Sequence, residues 1–151
     1  MTESPSKVAI VTGASRGIGA AIAASLGQAG LIVVGTATSE AGASGIAEAL
    51  SPHGGHGRVL NVTDTGSIEA FMDDVKAKVG DPLVLVNNAG ITQDNILMRM
   101  KENEWQQVID TNLTALYPSL DFLQTIGYLY FAQNDHRKIA LHKARLFLSF
   151  I

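Results

Sequence analysis

Thr12-Gly13-Ala14-Ser15-Arg16-Gly17-Ile18-Gly19 is the stretch whose reading decides the fold. Just before it, Lys7-Val8-Ala9-Ile10-Val11 is a short apolar run rich in β-branched residues, the form of a strand covered on both faces. Just after it, Ile18, Ala21, Ile22, Leu26 and Ala29 recur on one helical stripe, and Gly30 suits the end of that helix. Strand, glycine-rich turn and helix in this order favour an anion. The glycines tighten the turn and let a pyrophosphate reach backbone N–H groups where the helix dipole is positive. The spacing G-x-x-x-G-x-G is less specific than the commoner G-x-G-x-x-G, and a tight turn that binds nothing has the same appearance.

Outward from this point the same alternation continues. Leu31-Ile32-Val33-Val34 reads as a second strand, residues 40–50 as an alanine-rich helix, and Arg58-Val59-Leu60 as a third strand after the breaker cluster Ser51-Pro52-His53-Gly54-Gly55. Asp64 can cap a helix carrying Ile68, Phe71, Met72, Val75 and Val79 on one face. Leu83-Val84-Leu85-Val86 is a fourth strand, and Trp105, Val108, Ile109, Leu113 and Leu116 form a further helical stripe over 101–117. Strands alternating with helices imply parallel crossovers, so the expected class is α/β: a Rossmann-like, doubly wound parallel sheet. Residues 17–39 carry no charge and are long enough to span a bilayer. Their five glycines and scattered hydroxyls fit helix, turn and strand better.

Composition narrows the function classes. The chain has 151 residues, 46% hydrophobic and 17% charged, enough for one domain with its own core. A net charge of −3 gives no general footprint for nucleic acid, and the N-terminal residues lack the pattern of a signal peptide. Without cysteine there is no disulfide, thiolate metal site or cysteine nucleophile, which fits a reducing cytoplasm. No membrane association and no metal are expected.

The end of the second strand selects between dinucleotides. An acidic residue there normally bonds the ribose 2′-OH of NAD. Gly35-Thr36-Ala37-Thr38 offers none, while Arg16 can supply positive charge and Thr36 or Thr38 a hydroxyl, so NADP(H) is favoured over NAD(H). Asn87-Asn88-Ala89-Gly90 follows the fourth strand at its carboxyl end, where such sheets bind ligands, although an ordinary polar turn would look the same. Asn112 lies on the apolar stripe with Trp105, Ile109 and Leu116. A core-facing amide needs a partner, and a structural and a catalytic asparagine are both compatible with that position.

T-G-x-x-x-G-x-G, Asn61-Val62, N-N-A-G and Asn112 together resemble the classical short-chain dehydrogenase/reductase family. Residues 91–100 and Gly35-Thr36-Ala37-Thr38-Ser39-Glu40 look like its bacterial 3-oxoacyl-[acyl-carrier-protein] reductase branch, and the resemblance runs from about Lys7 to Tyr117. It implies that Gly13, Ser15, Arg16, Gly17, Ile18 and Gly19 hold the pyrophosphate and 2′-phosphate, with Thr38 assisting. It implies Asn61 and Val62 at the adenine end, Asn88, Ala89 and Gly90 along a ribose, and Asn112 organising a water in a proton relay. The implied reaction is hydride transfer from NADPH to a β-ketoacyl thioester on acyl carrier protein in fatty acid synthesis. A tyrosine tuned by a lysine protonates the alkoxide and a serine positions the carbonyl.

The chain departs from that pattern after Tyr117. The family's serine and its Y-x-x-x-K helix should follow, but four residues beyond Tyr117, Tyr128 and Tyr130 stand Asp121, Ala132 and Asn134. The first 117 residues hold fourteen glycines and three aromatics with net charge −5, whereas the last 34 hold one glycine and six aromatics with net charge +2. Pro118 is expected to stop the preceding helix. The division is therefore a nucleotide-binding half, 1–117, and an atypical tail, 118–151, too short for an independent core. His136, Arg137, Lys138, His142, Lys143 and Arg145 read as solvated charge rather than an anion site. The sheet is expected to be incomplete, with about four native-type strands and the edge of the fourth open. Arg145 to Ile151 could form a covering strand, reached through a helix near 119–131. The leading reading is a truncated or frame-altered reductase relative, inactive by itself. The alternatives are a non-catalytic NADP(H)-binding or interaction protein, forming homo-oligomers or pairing with full-length homologues, and a product without function that folds poorly.

Overall fold

The structure, a computed structural model, describes residues 7–121, 128–135 and 138–144. Strands β1 (Val8–Val11), β2 (Ile32–Ala37), β3 (His56–Val59), β4 (Pro82–Asn87), β5 (Tyr128–Asp135) and β6 (Lys138–Ala144) form one sheet in the order β3-β2-β1-β4-β5-β6. All pairings through β5 are parallel, and β6 runs antiparallel to β5. Helices α1 (Gly17–Gln28), α2 (Glu40–Leu50) and α3 (Thr65–Lys78) connect the first four strands, and α4 (Glu102–Ile109) and α5 (Leu116–Asp121) follow β4. The strand order reverses between β1 and β4, which places a switch point at the carboxyl ends of those two strands.

The central strand is covered on both sides, as its unbroken apolar run requires. Val8 and Ile10 pack with Val34, Leu85 and the inward face of α3: Ile68, Phe71, Met72 and Val75. Ala9 and Val11 face the other way, onto Ile22 and Ala23 of α1 and Ile46 and Leu50 of α2. The four strand readings and the three helices between them hold, with β2 reaching three residues further than the apolar run and β3 starting two residues earlier, at His56. The buried face of α1 is Gly19, Ile22, Ala23 and Gly27, while Ala21 and Ala29 are exposed. The helix ends in a paired closure: Gly30 N–H donates to Gly27 O at 3.0 Å and Leu31 N–H to Leu26 O at 3.1 Å, with Gly30 at φ 88°.

The region after β4 departs from expectation in three ways. The stripe over 101–117 is not one buried face. α4 gives way to a π-helical turn over Asp110–Thr114 before α5, and Trp105 and Leu113 are 53% and 62% exposed. The extra residue per turn breaks the 3.6 period on which that stripe depended. Pro118 does not end a helix. It sits in the first turn of α5, where no intrahelical N–H bond is lost. Finally, the edge of β4 is paired: Val84, Leu85, Val86 and Asn87 lie opposite Tyr128, Leu129, Tyr130 and Phe131. The covering strand is thus drawn from 128–135, whose first four residues fall in the stretch expected to be helical, and 145–151, the segment expected to cover the edge, lies outside the described residues. Among the described residues no helix is long and apolar enough to cross a membrane.

Candidate functional site

Two turns meet at the carboxyl ends of β1 and β4, and one hydroxyl joins them. Thr12, 5% exposed, closes β1. Its N–H donates to Val86 O at 3.0 Å, and its Oγ1 accepts from the N–H groups of Asn88 and Ala89, both at 3.0 Å. The hydroxyl also lies 3.4 Å from Val86 O, to which it donates. Asn88 returns the connection: its Nδ2 donates to Thr12 O and Gly13 O, each at 3.0 Å. The Asn88-Ala89-Gly90 segment is therefore one side of the glycine turn itself, not a separate polar loop. Sequence reasoning gave Thr12 no role, since a threonine at a strand end is ordinary. The signal was its position, level with the turn that follows β4.

The glycines divide the work expected of them. A Cβ on Gly19 would collide with Asn88 Nδ2 and Gly13 O, and one on Gly13, at φ 65°, would stand 2.9 Å from the Ala89 Cα. These two serve the packing of turn on turn. Gly17, at φ 58°, has nothing within 4 Å of the place a Cβ would take, so close approach from solvent falls to it.

The start of α1 differs from those of α2, α3 and α4. Ser39 Oγ accepts from Gly42 N–H at 3.1 Å at the head of α2, Asp64 Oδ1 from Ser67 N–H at 3.3 Å at α3, and Glu104 Oε2 from Lys101 N–H at 2.8 Å at α4. At α1 the N-cap residue is Arg16, which has no acceptor to offer, and no acidic residue occupies the first turn. Ser15, Arg16 and Gly17 are exposed there, with Ile18 half-buried. The dipole of a twelve-residue helix thus opens toward solvent beside a guanidinium. Of the two threonines after β2, Thr36 is 1% exposed and its carbonyl accepts from Ala14 N–H at 2.8 Å. Only Thr38 is exposed.

Asn61 and Val62 follow β3. Asn61 is exposed and its Oδ1 accepts from Thr63 N–H at 3.1 Å and Thr63 Oγ1 at 2.8 Å. Val62 is half-buried over a cavity of about 20 Å³ lined by Thr12, Leu60, Phe71 and Met72 among others. That volume suits a water-sized body, not a base.

Asn112 is exposed within the π-helical turn, not directed into the core as its place on the stripe implied. It has partners all the same. Its Nδ2 donates to Ile91 O at 2.9 Å and its Oδ1 accepts from Ile91 N–H at 2.8 Å, a two-point clamp on the backbone of Ile91. The same loop is held at its other end: Asn95 Nδ2 donates to Glu104 Oε2 at 3.0 Å, and Gln93 Nε2 to Gln107 Oε1 at 3.2 Å. The Lys101 N–H and the Asn95 amide hold the Glu104 carboxyl below its ordinary range. Among the described residues no group of three or more His, Asp or Glu is placed to hold a metal.

Comparison with known proteins covers this same region. The short chain dehydrogenase family profile matches residues 7–121. The 3-oxoacyl-[acyl-carrier-protein] reductase FabG of Pseudomonas aeruginosa is 55% identical over 113 residues, 74% of this chain and 46% of that protein. Its counterparts in Escherichia coli K12 and Vibrio harveyi are 54% and 57% identical over 111 residues, 74% of this chain and 45% of each of theirs. The chain thus spans about half the length of the curated relatives it matches.

Proposed function

Because the chain belongs to the short-chain dehydrogenase family, we propose that its first 117 residues are the NADP(H)-holding half of a cytoplasmic 3-oxoacyl-[acyl-carrier-protein] reductase. The observation that carries the cofactor assignment is the uncapped start of α1 beside Arg16, facing a β2 end without a carboxylate. The N–H groups of the first turn take the pyrophosphate, with Gly13, Ser15, Gly17, Ile18 and Gly19 shaping the approach. Arg16 and Thr38 take the 2′-phosphate, Asn61 and Val62 the adenine end, and Asn88, Ala89 and Gly90 line a ribose. In a complete reductase of this kind the bound cofactor would supply hydride for the carbonyl of a β-ketoacyl thioester on acyl carrier protein. Asn112 orders a water for proton relay through the Gly90–Ile91 loop that it clamps, its own amide being committed to Ile91.

By itself the chain is inactive in this proposal, because no Y-x-x-x-K is present to protonate an alkoxide. Purified chain should bind NADPH in preference to NADH by titration calorimetry, yet show no NADPH oxidation with an acetoacetyl thioester above background. Equal or reversed preference sinks the 2′-phosphate assignment. Turnover abolished by Tyr128→Phe or Tyr130→Phe sinks the inactivity.

A second reading, a nucleotide-binding partner for full-length homologues or for its own copies, is favoured by one observation. Ile96, Met98, Trp105, Leu113 and Tyr117 are between 53% and 95% exposed around α4 and the turns beside it. Large apolar residues left exposed in one stretch of chain favour association. Sedimentation of the chain alone and with a full-length reductase tests this, and two unchanged boundaries overturn it.

A further inference from the structure

The proposed cofactor would lie across the switch point with its halves over different strands. Its adenosine half belongs over β2 and β3, where Thr38, Asn61 and Val62 stand, and its pyrophosphate at the start of α1. The nicotinamide half must then extend the other way, over the carboxyl ends of β4 and the strand beside it. That strand is β5, and it does not stop where β4 stops. Its last β4 partner is Phe131, opposite Asn87, but it continues through Ala132, Gln133, Asn134 and Asp135, paired with Leu141 back to Lys138 of β6. Since β5 is parallel to β4, those four residues overhang the carboxyl end of the sheet. At roughly 3.3 Å per residue the overhang projects about 13 Å past Asn87, and it does so as a two-stranded ribbon.

We infer that the chain recognises a 2′-phosphorylated adenine dinucleotide by its adenosine and pyrophosphate alone, the β5–β6 ribbon standing where the nicotinamide half would otherwise settle. This rests on the cofactor reading above and deepens it. The site takes the class of 2′-phospho-adenosine diphosphates, whatever group follows the second phosphate.

The test is a calorimetric comparison, on the full chain, of NADPH with 2′-phospho-ADP-ribose, the same molecule without its nicotinamide. Dissociation constants should agree within about threefold, and bound NADPH should keep the nicotinamide emission it has in water. NADPH binding more tightly than that, or an emission shifted on binding, overturns the inference while leaving the cofactor reading intact. Binding of neither ligand overturns both. Replacing residues 134–139 by an Asn-Gly turn shortens the ribbon. It should strengthen NADPH binding severalfold and leave 2′-phospho-ADP-ribose unchanged, and a shortened chain that binds both as before removes the ribbon's part.

Discussion

Asn88 holds the carbonyl oxygens of Thr12 and Gly13 with one amide group, at 3.0 Å each, and so fixes the turn after β1 to the turn after β4. These turns lie 75 residues apart in the chain, yet the geometry of one depends on the other. Asn88→Ala should therefore weaken nucleotide binding without touching the nucleotide's charged groups. NADPH and NADH affinities should fall by a similar factor in calorimetry, whereas a loss confined to NADPH would show that Asn88 acts on the 2′-phosphate.

Thr12→Val removes an acceptor serving two N–H groups while keeping the shape of the side chain. Two partly buried donors lose their partner, at about 1–3 kcal/mol for each one left unsatisfied. Urea denaturation should show a loss of about 2–6 kcal/mol if both stay unsatisfied, and Thr12→Ser should recover most of it. A valine variant as stable as the parent chain would remove Thr12 from its place between the turns.

Gly19→Ala places a methyl against Asn88 Nδ2 and Gly13 O, one of them backbone that cannot move aside cheaply. The expected cost is about 1–3 kcal/mol of stability, on the scale of overpacking, with nucleotide affinity falling as well. Gly17→Ala meets no neighbour and is penalised only by its positive φ, so it should lose affinity more than stability. Similar stability losses in both variants would contradict this division.

Arg16→Ala tests the cofactor assignment directly. The preference for NADPH over NADH should narrow by about 1–3 kcal/mol, the scale of a hydrogen bond to a charged group. Arg16 lies at the surface, so the fold should be unaffected, and thermal melting should match the parent within error.

Asp74 gives a dependence on pH with a definite sign. Its carboxyl meets Lys78 Nζ and Arg58 Nε, which hold it below the ordinary carboxylate range. A carboxyl whose pKa is lower folded than unfolded stabilises above the unfolded value, and that contribution disappears as pH falls through the folded one. Asp74→Asn should flatten the fall in melting temperature below about pH 4, where the parent chain loses this pair. Both partners are reachable by solvent, so raised salt should shrink the difference. Superimposable profiles for parent and variant would exclude the pair as a source of acid sensitivity.

The parts of the fold legible in the sequence are those specified by neighbours in the chain. The β1–turn–α1 unit, the Asp64 cap and the inward face of α3 are all encoded within about fifteen residues, where periodicity and capping act. The tail was misjudged because strand pairing is settled at a distance. Nothing local to Tyr128–Asp135 says that β4 is its partner, and Tyr-Leu-Tyr-Phe is apolar enough for either a buried helix or a strand. The period count failed at α4 because a π-helical turn shifts every later residue around the axis. At the site, the residues that present backbone to solvent were visible as glycines. Thr12 was not, because its importance lies in two N–H groups contributed by the turn after β4.

The central position of β1 also bears on how such a chain is made. β1 is bonded on one side by β2 and on the other by β4, and β4 is translated long after both. While residues 38–87 emerge, a few seconds at roughly 5–20 residues per second, the most thoroughly buried strand of the finished sheet has one row of peptide groups unmatched. For that interval the nascent chain carries an apolar template that any extended segment nearby can engage. The risk of misassembly is therefore greatest during synthesis, before the strand that closes it has left the ribosome.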